Sequence, residues 1–93
     1  MPKDSNIVYI GRKPTMTYVL AVMTNFNSSD AKNVTVKARG QSISTAVDVV
    51  EIVRRRFMKD VNVSAITIGT EEMQQQEGGA RNVSTIEIGL VRS

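Results

Sequence analysis

The 93-residue chain contains no cysteine and no histidine. Disulfides, zinc sites built on Cys or His, and Ser-His or Cys-His nucleophilic catalysis are therefore excluded. Proline is scarce, at two residues, and the hydrophobic fraction of 41% is that of a globular chain, not a disordered one. No apolar run approaches the ~20 residues of a membrane-spanning helix. The polar start Met-Pro-Lys-Asp-Ser-Asn does not have the pattern of a signal peptide. The expectation is a cytoplasmic protein with no membrane contact, a single domain over residues 1–93. A domain of this size buries only about 60–65% of its unfolded surface, so self-association is one way to cover the remaining apolar area.

What is present is a modest excess of positive charge. Twelve Lys and Arg residues face nine Asp and Glu, for a formal charge of +3. That balance is compatible with an anionic partner without proving one.

The apolar pattern alternates between two periods. Ile7 to Ile10 is a short apolar run closed by Gly11, which predicts a buried strand. Pro14 suits a first helical position, and Met16, Val19, Leu20, Met23 and Phe26 follow at helical spacing. Asn25 to Asp30 (NFNSSD) reads as the helix end and a turn. Val34, Val36 and Ala38 then alternate with Thr35, Lys37 and Arg39 along a strand that Gly40 ends. Ser42 is the expected N-cap of a second helix whose stripe is Ile43, Ala46, Val47, Val50, Val53 and Phe57, with Glu51 and Arg55 as an i, i+4 pair.

Val61 to Ile68 is rich in β-branched residues, and its apolar phase shifts between Val63 and Ile66, which predicts a bulge. Ile86, Ile88 and Leu90 define a last strand. Between these two strands lies a polar stretch, about 70–82, with Gly78-Gly79 as its natural turn; it is expected to project as a hairpin arm with Arg81 and Glu77 near the tip. The order β-α-β-α-β-β predicts an α/β two-layer sandwich, two helices on a four-stranded mixed sheet.

Three features bear on chemistry. In "IGRKPTMTYVLAV", Arg12 and Lys13 stand just before a helix start, where the helix dipole is itself positive. Such cations gain only when an anion docks among them, so they fit a phosphate site, although a solvated loop with two surface cations fits as well. Lys37 and Arg39 repeat the arrangement before the second helix, followed by Gly40 and Gln41. A right-handed β-α-β crossover puts both strand-to-helix turns at one edge, so Arg12, Lys13, Lys37 and Arg39 are expected to converge; the bland reading of the second pair is a solvated strand face. The arm is the third feature. It fits entry into a nucleic-acid minor groove or, more simply, a polar loop.

Other candidates are thinner. Arg54-Arg55-Arg56 sit about 100° apart around a helix and complement its C-terminal dipole. Phe57 ends an apolar stripe and fits either the core or an interface anchor. Glu71 and Glu72 face opposite sides of a strand and make a poor acid–base pair. "GRKPT" is no Walker loop and "GQSIS" no dinucleotide fingerprint, so neither a cofactor nor an enzymatic activity is expected.

The stretches "IGRKPTMTYVLAV", "VTVKARGQSISTAVDVVEIVRRRF" and "NVSTIEIGL" resemble the Alba family of small archaeal chromatin proteins, over nearly the whole chain. The resemblance implies a fold like the C-terminal domain of bacterial translation initiation factor three. It implies a homodimer that binds double-stranded DNA, and RNA as well, with little sequence preference, on the chromosome or nucleoid. It carries nucleic-acid contacts onto Arg12 and Lys13 and onto Lys37 and Arg39 of "KARG". It also implies hairpins acting as minor-groove arms, and a contact between neighbouring dimers at Phe57 that builds higher assemblies on nucleic acid.

The chain departs from that pattern. Arg12 stands where many members carry a lysine that is acetylated. Gln41 and Thr45 stand where basic residues are frequent, and the arm "QQQEGGARN" is less basic than usual. Binding is therefore expected to be weaker and more salt-sensitive than in a highly basic member. The alternative role is a ribonucleoprotein subunit acting through protein contacts, or a sequence-favoured binder. Expected nucleic-acid contacts are Arg12, Lys13, Lys37, Arg39, Gln41 and Arg81.

Overall fold

The computed structural model describes residues 6–28, 31–74 and 78–93. The polar first five residues, positions 29 and 30 of the expected turn, and Glu77 of the arm tip lie outside them. In chain order the elements are β1 (Ile7–Tyr9), α1 (Thr15–Ser28), β2 (Asn33–Arg39), α2 (Ile43–Ile52), β3 (Val61–Gln74) and β4 (Ala80–Arg92). A 3₁₀ turn, Gly40–Ser42, leads into α2, and a π-helical turn, Val53–Phe57, ends it.

The four strands form one sheet in the order β1-β2-β4-β3. β1 and β2 are parallel, and β4 is antiparallel to both β2 and β3. The mixed four-stranded sheet with two helices is the architecture expected from the β-α-β-α-β-β order. The predicted bulge is present as a register shift between Val63 and Ala65.

The core lies between the helices and one face of β1, β2 and β4. Val8, Val34, Val36, Ala38, Ile88 and Leu90 point inward from the strands, and Val19, Val22, Phe26, Ala46, Val49, Val50 and Val53 meet them from the helices. The alternating strand residues thus divide as their period of two requires.

Two helical stripes differ from expectation. On α1, Met16 and Leu20 are exposed, and Tyr18 is buried beside Val19, Val22 and Phe26. The stripe is rotated because Tyr18 turns inward, where its hydroxyl meets the loop before the helix. On α2, Val49 is buried while Val47 and Phe57 are exposed. The physical cause at Phe57 is the π turn: the Met58 N–H donates to the Val53 carbonyl at 2.7 Å, an i→i+5 bond. That wider turn places Met58, not Phe57, on the core side, and Met58 is buried.

Beyond Ile68, β3 and β4 continue as a paired ribbon as far as Gln74 and Ala80. The chain measures 46 × 28 × 21 Å along its principal axes. The arm is therefore a regular two-stranded extension of the sheet, longer than the strands legible from apolar residues alone. β3 is also an edge strand, with no partner on its far side among the described residues.

Candidate nucleic-acid interface

Because β1 and β2 run parallel in register, with Tyr9 beside Lys37, both strands end at the same edge of the sheet. The Ile10 N–H donates to the Lys37 carbonyl at 2.9 Å and ties the two strand ends together. The two strand-to-helix turns are therefore neighbours, as the crossover rule predicts.

The first turn is held from below. Gly11 N–H and Lys13 N–H both donate to the Tyr18 hydroxyl, each at 2.9 Å. Tyr18 is only 8% exposed, so this phenol is an interior peg around which the Gly11-Arg12-Lys13 backbone is wrapped, leaving the Arg12 and Lys13 side chains outside. Gly11 fits because a Cβ there would lie 3.2 Å from the same hydroxyl oxygen. Sequence reading missed Tyr18; the available signal was a tyrosine beside a helical stripe, since a buried phenol needs a hydrogen-bond partner.

The second turn depends on Gly40, which has φ of +60°, a left-handed conformation that favours glycine. Ser42 was expected to cap α2. It has helical backbone angles and makes no capping bond; its hydroxyl instead donates to the Gly11 carbonyl over 3.4 Å, a long link between the two turns.

Together with the outer end of the paired ribbon, the turns enclose an open cleft of about 770 Å³. Arg12, Lys13, Arg39, Gln41 and Arg81 all line it, alongside Ser42, Thr45, Met73 and Gln74. None of its described lining residues is acidic. The first turns of α1 and α2 contain no Asp or Glu either, although helix starts ordinarily favour them. Among the described residues, Arg12, Lys13 and Arg81 make no ion pair.

Lys37 does not join this cleft. It lies on the sheet face away from the helices, in a smaller hollow with Tyr9, Thr85 and Glu87, and its Nζ is 3.7 Å from the Glu87 carboxylate. Convergence of four cations is thus corrected: Arg12, Lys13 and Arg39 meet, joined by Gln41 and Arg81 from further along the chain. The reason is register, because Glu87 of β4 is the direct cross-strand partner of Lys37. Arg39 touches both hollows and pairs with Glu71 of β3 at 2.6 Å.

Phe57 is 50% exposed and stands at the far end of α2 from the cleft, so it is no core residue. Arg54 and Arg55 both bond to Glu51, at 2.6 and 2.7 Å, which includes the expected i, i+4 pair. Among the described residues, no group of three or more His, Cys, Asp or Glu side chains is placed to hold a metal ion. No helix among them is long and apolar enough to cross a membrane.

Comparison with known proteins finds relatives over nearly the whole chain. A family model described as Alba matches residues 6–70. The chain is 55% identical over 87 residues to the DNA/RNA-binding protein Alba of Methanococcus maripaludis, covering 94% of this chain and 98% of that one. It is 56% identical over 87 residues to the DNA/RNA-binding protein Alba 1 of Archaeoglobus fulgidus, covering 94% and 96%. Among solved structures, Alba from Thermoplasma volcanium superimposes with a TM-score of 0.87 at 50% identity, covering 94% of this chain and all of that one. ALBA1 from Trypanosoma brucei superimposes with a TM-score of 0.74 at 28% identity, covering 99% and 73%.

Proposed function

The chain belongs to the Alba family, and from that premise we propose that it is a nucleic-acid-binding protein without enzymatic activity. It binds double-stranded DNA and RNA mainly through phosphates, with little sequence preference. The observation that carries this reading is the cleft: Arg12, Lys13, Arg39 and Arg81 line one concave surface at two helix starts, with no acidic side chain among its described lining. Backbone N–H groups at a helix start and cations beside them suit an anionic oxygen such as that of a phosphate. Phosphate contacts of this kind position a protein on a nucleic acid without reading sequence. Gln41 adds a neutral hydrogen-bonding group to the same surface.

The active form is a homodimer. Val63, Ile66 and Ile68 of β3 stand on the helix side of the sheet, in register with Leu90, Ile88 and Ile86, yet no element among the described residues covers them; Ile68 is 76% exposed. An uncovered apolar row on an edge strand of a small domain is the surface a second copy would bury. Two copies double the cleft and present two hairpin arms to the duplex, Arg81 included. A monomer mass by sedimentation at micromolar concentration would remove this part of the reading. Exposed Phe57 is the contact between neighbouring dimers on nucleic acid, and the setting is the chromosome or nucleoid.

Neutralising about four to eight phosphates makes affinity fall with salt at a log–log slope of roughly −0.9 per phosphate. The neutral residues Gln41 and Thr45 lower both affinity and that slope. The sequence expectation of greater salt sensitivity is reversed, because fewer released counterions give a shallower dependence. Fluorescence anisotropy with duplex DNA and RNA tests the site. Replacing Arg12 and Lys13 by Glu together should weaken binding to both by more than about tenfold at ~0.1 M salt, with the fold intact by circular dichroism. Unchanged affinity would show that the cleft is not the binding surface.

A further inference from the structure

Among the described residues, Arg39 is the one cleft cation whose charge is already answered within the chain. Its Nη1 lies 2.6 Å from the Glu71 Oε1 and 3.5 Å from the Met73 sulfur. The register explains the reach. Arg39 of β2 stands beside Thr85 of β4, and Thr85 beside Gly69 of β3. Gly69 has no side chain, so the guanidinium can cross β4 and meet Glu71 two residues along, on the same face. Both partners are about half exposed, with side-chain accessibilities of 57% and 52%. A pair this open adds little stability and lies within reach of a competing anion.

We propose that Glu71 is an internal competitor for Arg39: its carboxylate holds the guanidinium where a nucleic-acid phosphate oxygen would otherwise bind, and thereby sets the affinity and salt dependence of the cleft. The inference rests on the proposed nucleic-acid reading of that cleft. A carboxylate and a phosphate oxygen offer a guanidinium the same charge-assisted acceptor. While Glu71 keeps Arg39, one phosphate contact per protomer is withheld. If a phosphate displaces it, the freed carboxylate stands beside a polyanion and takes up a counterion, offsetting part of the counterion release that drives binding. Either way the free energy of association falls, and the loss is doubled in a dimer.

A plain structural reading of the same pair is that it braces the arm. The two readings predict opposite signs. Loss of a brace weakens binding; loss of a competitor strengthens it. Glu72 supplies a matched control, because it carries the same charge one residue along and points to the other face of the ribbon.

The test is equilibrium binding of the full chain to duplex DNA and to RNA at several salt concentrations. Glu71→Gln should bind about three- to tenfold more tightly at ~0.1 M salt. Its log–log salt slope should steepen by about one per protomer as Arg39 gains a phosphate. Glu72→Gln should give a smaller gain and leave the slope unchanged. Arg39→Gln should cancel the gain in the Glu71→Gln background. Weaker or unaltered binding of Glu71→Gln, or an equal gain from Glu72→Gln, would overturn the proposal. If Arg12→Glu with Lys13→Glu abolishes binding in that same series, only the competitor proposal falls; if that pair has no effect, the cleft reading fails with it.

Discussion

The two ends of α2 carry the same type of side chain in opposite circumstances. At its C-terminal end Glu51 accepts from both Arg54 and Arg55, and nearby Asp60 accepts from Arg92 at 2.9 Å. Those cations also complement the negative end of the helix dipole. At its N-terminal end lies the cleft, where Arg12, Lys13 and Arg81 have no ion pair among the described residues and the dipole opposes them. One cluster is answered inside the chain. The other, apart from Arg39, has no such partner among the described residues and is held in place by the Tyr18 peg and the turn at Gly40. The count of arginines does not separate the two; their local partners do.

That contrast can be broken directly by giving the cleft the arrangement of the other end. Gln41→Glu sets a carboxylate among the cleft cations and at a helix start. Affinity for duplex DNA and RNA should fall about tenfold at ~0.1 M salt, while the melting temperature holds or rises, because the new charge is favourable in the free protein. Anisotropy and differential scanning calorimetry on one preparation read both effects. A loss of affinity accompanied by a loss of stability would point to damage instead of charge competition.

A smaller effect sharpens the role of placement. Tyr18→Phe keeps the buried ring and removes the acceptor of the Gly11 and Lys13 N–H groups. Stability should drop by about 1 kcal/mol, since the freed N–H groups lie near enough to the surface to find water. Affinity should drop by roughly three- to tenfold, because Arg12 and Lys13 must then be ordered during binding. Equal affinity for the two proteins would show that the peg serves stability alone.

The smallest effect belongs to the paired end. The carboxyl of Glu51 is held below its ordinary value of 4.5 by hydrogen bonds from Arg55 and then Arg54, and that of Asp60 below 3.8 by Arg92. A carboxylate whose value is depressed on folding contributes stability that is fully present above its unfolded value and lost as pH falls through the folded one. Thermal melts should therefore be flat from neutral pH to about 5 as far as these groups matter, and decline slightly below 4.5. Glu51→Gln should flatten part of that decline and leave nucleic-acid binding at pH 7 unchanged. A binding defect in Glu51→Gln would mean that the paired end also takes part in recognition.

The order of elements was legible because the apolar period switches cleanly between two and 3.6 residues. Adjacency of the two strand-to-helix turns was legible too, because a right-handed crossover leaves few alternatives. What escaped depends on registers and turns that sequence spacing does not carry. Phe57 continues a stripe by spacing, but one wide turn passes its core position to Met58. Lys37 and Arg39 share a strand face, yet they meet Glu87 and Glu71, residues about 50 and 32 positions away that only the pairing of β4 with β2 and β3 brings near. Tyr18 falls outside the stripe read from spacing, and its role shows only where its hydroxyl lies under the loop.

The most direct measurement compares salt slopes for duplex DNA binding in two charge-matched double variants. Arg12→Gln with Lys13→Gln should reduce the magnitude of the log–log slope by about one for each phosphate no longer neutralised, roughly three to four in a dimer. Arg54→Gln with Arg55→Gln, which removes the same charge from the paired end, should leave the slope within error of the parent chain. Equal slope changes in both variants, or none in the first, would contradict the account.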